Sequence, residues 1–185
     1  MADANLGMAP EVIIQPDKSI SSQDFCPPPL IRSWLHHAIV EVTKNAMTSN
    51  VQRYMQQSST ASESIPPSVY INIEKETRLN DPSHSDFLRI QVIDQGTGLK
   101  DKSKAFGFAQ SSSQKRWDRL QEQQSYAAVR QPLGSLGVGL PLSTLMMRVF
   151  GGDLSLSNHE RGNDFDSGCT ATLLINYDDT YTAEN

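Results

Sequence analysis

Three polar side chains, His37, Glu41 and Asn45, recur at four-residue steps within one segment of the chain. In an α-helix this spacing places them on one face, one above the other. A carboxamide oxygen is a suitable ligand for Mg²⁺, a carboxylate can orient or deprotonate a nucleophile, and an imidazole can tune that carboxylate. A polar helix face turned to water has the same spacing, so the pattern alone leaves catalysis and solvation open.

A second candidate group, Asp94, Gly96 and Gly98, follows an apolar segment in the run DQGTGL. Glycines let the backbone approach a flat ring closely, and a carboxylate accepts a hydrogen bond from an exocyclic amine. An ordinary glycine-containing turn is the alternative interpretation.

A third candidate group lies in the run GSLGVGLP, residues 134–141, at the start of a predicted helix. Backbone N–H groups and the positive end of a helix dipole suit a phosphate group at such a position. The run is not a Walker A loop, because no Gly-Lys-Ser/Thr follows, and it is not a Rossmann fingerprint, because no strand precedes it. A helix start with flexible glycines is the alternative.

Helices and strands predicted from the apolar pattern must position these groups. The segment from Leu30 to Gln57 contains neither Gly nor Pro. The apolar residues that recur there at helical spacing, and so predict a long amphipathic helix, are Leu35, Ile39, Val42, Ala46 and Met47. A second helix is predicted to run from the glycine-rich segment to about Phe150, where Gly151 and Gly152 end it. Strands are predicted at residues 11–15, 69–73, 87–93, 154–157 and 170–175.

The order of these elements is strand, helix, strand pair, helix, strand pair. It predicts an α+β fold with helices on one face of a mixed, mostly antiparallel sheet, whose second and third strands are antiparallel neighbours. Residues 77–85 are predicted to be a hairpin loop. Residues 100–133 lack sustained periodicity, which is typical of a functional or disordered segment.

Composition limits the classes of function. A chain of 185 residues with 37% apolar residues fits one domain with a real core. The net charge of −5 argues against nucleic acid as a partner, and no apolar run reaches the length of a membrane span. Cys26 and Cys169 lack metal-ligand spacing, which favours a reducing compartment. The first ten residues resemble neither a signal nor a transit peptide, so a targeting segment of an imported parent protein would be missing here.

In this order the motifs resemble the ATP-binding domains of the gyrase, chaperone, histidine-kinase and MutL (GHKL) superfamily. Three runs are similar to mitochondrial pyruvate and branched-chain ketoacid dehydrogenase kinases: HHAIVEVTKNAM at 36–47, FGFAQSSS at 106–113 and GVGLPLSTLMMRVFGGDLSL at 137–156. The resemblance covers roughly residues 10–176. It implies a single ATP-binding domain, 1–185, folded as a two-layer α/β sandwich of the Bergerat type, with an ATP lid at 99–133.

The resemblance also implies a role for each candidate residue. Asn45 would ligate the Mg²⁺ that bridges the phosphates of ATP or ADP. Glu41 would be the general base toward a substrate serine, modulated by His37, and Asp94 would bind the adenine amine. The other implied nucleotide contacts are Gly96, Gly98, Leu99, Gly137, Val138, Gly139, Leu140 and Thr170. The family threonine that closes on adenine is near Thr170, but Cys169 is the alternative occupant of its place.

The implied function is that of an ATP-dependent protein serine kinase that phosphorylates the E1 component of a 2-oxoacid dehydrogenase complex in the mitochondrial matrix. Contacts with E1 and with the lipoyl-bearing E2 would use an N-terminal helical bundle that has no counterpart in this sequence. The resemblance allows a homodimer, because relatives dimerise through the sheet. Nucleic acid and membrane are not expected as partners.

Two other interpretations stay open. One is the catalytic ATP-binding domain of a bacterial-type histidine kinase, and the other is a nucleotide-sensing module without catalysis. Two departures from the kinase pattern bear on this choice. Thr48 stands where these kinases usually carry an arginine, and Ser135 replaces the first glycine of their Gly-x-Gly-x-Gly.

Overall fold

The computed structural model describes residues 9–17, 20, 30–57, 65–77, 86–108, 137–159 and 167–177. Its elements, in chain order, are β1 (Val12–Pro16), α1 (Arg32–Gln57), β2 (Val69–Thr77), β3 (Asp86–Ile93), α2 (Lys102–Ala105), α3 (Gly139–Arg148), β4 (Asp153–Asn158) and β5 (Cys169–Tyr177).

The strands form one five-stranded sheet in the order β1-β2-β3-β5-β4. Strand β1 is parallel to β2, while the pairs β2–β3, β3–β5 and β4–β5 are antiparallel. The predicted α+β class with a mixed, mostly antiparallel sheet is therefore confirmed, as is the antiparallel pairing of the second and third strands.

Strand β2 is longer than its apolar pattern predicts and continues through the polar run Glu74 to Thr77. In the register of β2 and β3, Arg89 on β3 lies opposite Glu74 on β2. The Arg89 guanidinium lies 3.7 Å from the Glu74 carboxylate and its Nε donates to Glu76 at 2.7 Å. Opposite charges across an antiparallel pair stabilise the pairing, which explains why the strand extends beyond residue 73.

The core lies between the two longer helices and one face of the sheet. Alternate residues of the strands point to that face, where the buried apolar residues are Val69, Ile71, Leu88, Ile90, Val92, Leu154, Ala171, Leu173 and Ile175. The helices contribute Ala38, Val42, Ala46 and Met147 to the same cluster. The predicted apolar stripe of α1 therefore faces the sheet, and its polar side is left for the candidate site.

Helices α1 and α3 pack against each other in opposite directions. Trp34 near the start of α1 meets Phe150 just beyond the end of α3, with ring centroids 5.7 Å apart. Gly139 at the start of α3 lies instead against Glu41, two turns further along α1. The glycine pair after α3 ends it as predicted: Gly151 has φ +71°, and the Gly152 N–H donates to the Met147 carbonyl at 3.1 Å.

Several predictions fall on residues outside the described ranges. Of the predicted ATP lid, 99–133, only residues up to 108 are described, and Ser135 lies outside as well. Most of the predicted hairpin loop, residues 78–85, also lies outside. Within the described ranges, none of the helices combines the length and apolarity that crossing a membrane requires.

Candidate functional site

The polar face of α1 is longer than the three residues singled out from sequence. His37, Glu41 and Asn45 are followed at the same four-residue step by Ser49 and Arg53. Each step turns about 40° further round the 26-residue helix, so the five form a continuous polar row, called here the polar face, that winds through about 160°. At a rise of ~1.5 Å per residue, Glu41 and Ser49 are about 12 Å apart along the axis. The Glu41 end contacts the start of α3 and the Ser49 end contacts the loop after β3, so this face joins the two glycine-containing motifs.

The buried carboxylate of Glu41 lies at the first residue of α3. A Cβ atom added at Gly139 would overlap Glu41 Oε2, so the carboxylate keeps this position only while residue 139 is glycine. The other oxygen, Oε1, accepts a hydrogen bond from Lys44 Nζ at 2.6 Å. Glu41 is thus held between a lysine ammonium group and the positive end of a helix dipole.

His37 and Asn45 lie one turn to either side of Glu41. His37 Nε2 is buried and makes no hydrogen bond within the described part of the chain. The Asn45 side chain is exposed, so its carboxamide is accessible to a ligand approaching the same face.

The start of α3 has the backbone features of an anion-binding end. Gly137 has φ +69°, a left-handed conformation that favours glycine. Val138 is the N-cap and makes no side-chain cap hydrogen bond in the described structure, which leaves N–H groups of the first turn available to a ligand. Leu140 is half-buried against the core, so it braces this end of the helix.

Asp94 is held in one orientation at the other end of the polar face. It is 6% exposed, and its Oδ1 accepts hydrogen bonds from the N–H groups of Gly96 at 2.8 Å and Cys169 at 3.2 Å. Burial raises the pKa of Asp94 above its ordinary value, although these two N–H groups, the charge of His159 and the Ser49 hydroxyl each act to lower it. The carboxyl group is therefore fixed and largely removed from water.

The two glycines after Asp94 are required by close contacts. A Cβ atom at Gly96 would overlap the Ser49 hydroxyl, so the loop can reach α1 only through glycine. Gly98 has φ +70° and packs against Asn158. The Asn158 amide accepts from the Leu99 N–H at 2.7 Å and donates to the Leu99 carbonyl at 2.9 Å. Leu99, where the predicted lid begins, is thus attached to the end of β4.

Asn50 is a site residue that the sequence analysis missed. It is 0% exposed, and its Nδ2 donates to the carbonyls of Pro67 at 2.8 Å and Ser68 at 3.3 Å. Its Oδ1 accepts from the Gln95 N–H at 2.7 Å. The available signal was a polar residue one turn beyond Ala46 on the apolar stripe.

Arg53 was also missed, although it continues the four-residue step. Its Nη1 donates to the Gln95 carbonyl at 2.8 Å and to the Ser167 hydroxyl. Ser167 in turn donates to the Gly96 carbonyl at 2.8 Å. Helix α1 and the segment before β5 therefore both hold the loop that carries Asp94.

The strand register distinguishes the two neighbouring candidates on β5. Thr170 lies opposite Ile93 and points away from the helices, where its Oγ1 lies 3.1 Å from His159 Nε2. Cys169 is 7% exposed, on the helix side, and its carbonyl accepts from the Asp94 N–H at 2.9 Å. In the described structure Cys169 therefore lies beside Asp94 and Thr170 lies on the other face of the sheet, while the contact of either residue with a base stays a prediction.

Comparison with known proteins supports the fold assignment. No protein-family model matches the chain, and no curated protein matches it. Among solved structures, a mycobacterial sensor histidine kinase, MprB, matches 90% of this chain and 80% of its own, with a TM-score of 0.51 and 16% sequence identity. At this level of identity the likeness shows a shared fold.

Proposed function

We propose that this chain is the Mg-ATP-binding domain of a GHKL-type protein kinase. The observation that carries the proposal is the polar face of α1, which places Glu41 at the start of α3 and Ser49 beside Asp94 and Gly96. A nucleotide lying along this face would have its phosphates near Glu41 and its base near Asp94. The fold shared with a sensor histidine kinase is consistent with this arrangement.

The base would bind at Asp94. Both N–H contacts on Asp94 are made by Oδ1, which leaves Oδ2 with acceptor capacity for the exocyclic amine of adenine. Because Gly96 carries no side chain, the loop packs directly on Ser49 of α1, which fixes the position of this carboxyl group relative to the helix.

The phosphates would bind between Asn45 and the start of α3. Among the described residues, no group of three or more His, Cys, Asp or Glu side chains could hold a metal ion. A divalent cation here would therefore have the nucleotide phosphates as its main ligands, with the accessible amide oxygen of Asn45 as the ligand from the protein. Bound Mg²⁺ would supply charge neutralisation during phosphoryl transfer.

Glu41 would accept the proton of the attacking hydroxyl group. Its Oε1 is held by Lys44 at 2.6 Å, which fixes the position of the carboxylate. The proton-accepting oxygen must come within hydrogen-bond reach of the acceptor. His37, one turn away, whose Nε2 has no hydrogen-bond partner among the described residues, would modulate this carboxylate. Phosphoryl transfer depends on positioning and charge more than on covalent chemistry, and these residues would supply both.

Two acceptors of the phosphoryl group are consistent with the proposal. The similarity of residues 36–47 and 137–156 to the dehydrogenase kinases supports a serine of the E1 component as acceptor, in the mitochondrial matrix. The fold of MprB supports a histidine acceptor. Incubation of the protein with radiolabelled ATP, with and without the E1 component of a 2-oxoacid dehydrogenase complex, would separate them, because phosphoserine survives acid and phosphohistidine does not.

The experiment that tests the proposal measures binding of a fluorescent ATP analogue and phosphoryl transfer in parallel. We expect Asp94→Asn to weaken binding, and Glu41→Gln to abolish transfer while sparing binding. Equal affinities for the wild type and Asp94→Asn would contradict the adenine role, and retained transfer by Glu41→Gln would remove Glu41 as the base. Binding without transfer in the full-length wild type would indicate a nucleotide sensor.

A further inference from the structure

The backbone on both sides of Gln95 is held by side chains of α1. The N–H of Gln95, which belongs to its peptide with Asp94, donates to Asn50 Oδ1 at 2.7 Å. The carbonyl of Gln95, which belongs to its peptide with Gly96, accepts from Arg53 Nη1 at 2.8 Å. Neither peptide group can rotate without breaking one of these hydrogen bonds.

The Arg53 contact is transmitted to Asp94 through a rigid unit. A peptide group is planar, so the Gln95 carbonyl and the Gly96 N–H turn together and point in opposite directions. Arg53 holds the carbonyl, and the Gly96 N–H on the other side of the same plane donates to Asp94 Oδ1 at 2.8 Å. The direction of the Asp94 carboxyl group thus depends on Arg53.

Four further hydrogen bonds keep Asn50 and Arg53, which together form a clamp on Gln95, in place. Ser167 accepts a hydrogen bond from Arg53 and donates to the Gly96 carbonyl at 2.8 Å. Asn50 is fixed by its own bonds to the carbonyls of Pro67 and Ser68 before β2. The loop that carries Asp94 is therefore tied to α1, to the segment before β2 and to the segment before β5.

We infer that Asn50 and Arg53 are positioning residues for base specificity: they hold the two peptide groups that flank Gln95 and thereby aim Asp94 at the exocyclic amine of adenine. Their described hydrogen bonds go to other residues of the chain, and they act through Asp94. The inference rests on the proposed nucleotide function.

The test compares the affinity for ATP with that for inosine triphosphate, which carries an oxygen in place of the amine. For the wild type we expect ATP to bind about tenfold or more tightly than inosine triphosphate, because only ATP donates to Asp94. In Arg53→Met the affinity for ATP should fall by about tenfold, while that for inosine triphosphate should change less than about twofold.

Two variants accompany this measurement. Arg148→Met is the matched control, because Arg148 is an exposed arginine that pairs with Asp153 at the far end of α3, and it should retain the wild-type preference. Ser167→Ala removes one contact of Arg53 and should lower the preference for ATP in the same direction, which tests the inference even if Arg53→Met fails to fold.

The outcomes separate the inference from the proposed function. The inference would be overturned if Arg53→Met bound ATP and inosine triphosphate equally more weakly than the wild type and Ser167→Ala kept the wild-type ratio of the two affinities. The clamp would then be purely structural. A wild-type protein that binds both nucleotides equally would overturn the adenine role of Asp94. A wild-type protein that binds neither would overturn the proposed function itself.

Discussion

The carboxylate of Glu41 occupies the space that a Cβ atom at position 139 would need, so any residue other than glycine there would have to displace the Glu41 side chain. Without this contact, alanine at position 139 would be preferred, because alanine stabilises a helix by about 1 kcal/mol relative to glycine. The conflict between these two effects gives the first prediction.

Gly139→Ala should lower the free energy of unfolding by about 1–3 kcal/mol, because the methyl group overpacks the α1–α3 contact. In a Glu41→Ala background the same substitution should be neutral or stabilising, by up to about 1 kcal/mol. Urea unfolding of the four proteins gives the coupling energy between the two positions. Equal costs of Gly139→Ala in both backgrounds would show that the Glu41 contact does not determine the glycine.

Asp94→Asn should lower nucleotide affinity without lowering the stability of the fold. Asparagine still accepts hydrogen bonds from the N–H groups of Gly96 and Cys169, but it carries no charge in this buried site. Since burial raises the folded-state pKa of Asp94 above its ordinary 3.8, ionisation of Asp94 opposes folding, and wild-type stability falls as pH rises through that raised pKa. The variant should therefore be at least as stable as the wild type at neutral pH, while nucleotide affinity falls by about 10- to 100-fold, as expected for loss of a charged hydrogen-bond acceptor.

The pH dependence of this difference provides the check. The stability advantage of Asp94→Asn should be absent below pH 3.8 and complete above the raised pKa of Asp94. The control is Asp153→Asn, which removes an exposed carboxylate paired with Arg148 and should show no such advantage. An Asp94→Asn protein clearly less stable than the wild type at neutral pH would contradict this account of Asp94.

The fold was predictable because its determinants are local patterns. The spacing of Val42 and Ala46 predicts a buried helix stripe, and the order of helices and strand pairs predicts the layers. The end of β2 was not predictable from apolar alternation, because Glu74 and Glu76 are stabilised there by Arg89 on the next strand. A cross-strand ion pair depends on a register that single-strand patterns do not contain.

The sequence indicates candidate site residues where chemistry dictates residue type, as at Glu41, Asn45 and Asp94, and their roles stay predictions. Asn50 and Arg53 were not predicted because they bind backbone carbonyl and N–H groups. The sequence does not show which backbone groups a side chain will contact. The same reason explains Asn158, whose partner is the backbone of Leu99. Side chains that position a loop through its backbone become identifiable only once the fold brings the segments together.

Asn158→Ala should loosen the loop at Leu99 without disturbing Asp94. The substitution removes two hydrogen bonds at an exposed position, each contributing about 0.5–1.5 kcal/mol. We expect faster hydrogen exchange of the Leu99 amide, measured residue by residue by NMR, and unchanged protection of the Gly96 amide that donates to Asp94. Ser157→Ala, at the exposed neighbouring position, is the control. Unchanged exchange at Leu99 would show that Asn158 does not anchor the start of the predicted lid.

The roles of positions 169 and 170 can be distinguished by substitutions that exchange a hydroxyl group for a methyl group. Threonine and valine have nearly the same shape, so Cys169→Thr and Cys169→Val form a matched pair, as do wild-type Thr170 and Thr170→Val. Because Cys169 lies beside Asp94 and Thr170 bonds His159 on the opposite face of the sheet, only a hydroxyl group at 169 can reach a base held by Asp94.

We therefore expect threonine at position 169 to bind the ATP analogue about 2- to 10-fold more tightly than valine there, the value of one hydrogen bond. At position 170 the exchange of threonine for valine should change affinity by less than about twofold, because the Thr170 hydroxyl lies on the opposite face of the sheet and contacts His159 instead of the base. Fluorescence titrations of the four proteins at one pH and salt concentration measure both differences. A larger effect at 170 than at 169 would assign the base contact to Thr170 and would require a different orientation of the nucleotide on the sheet.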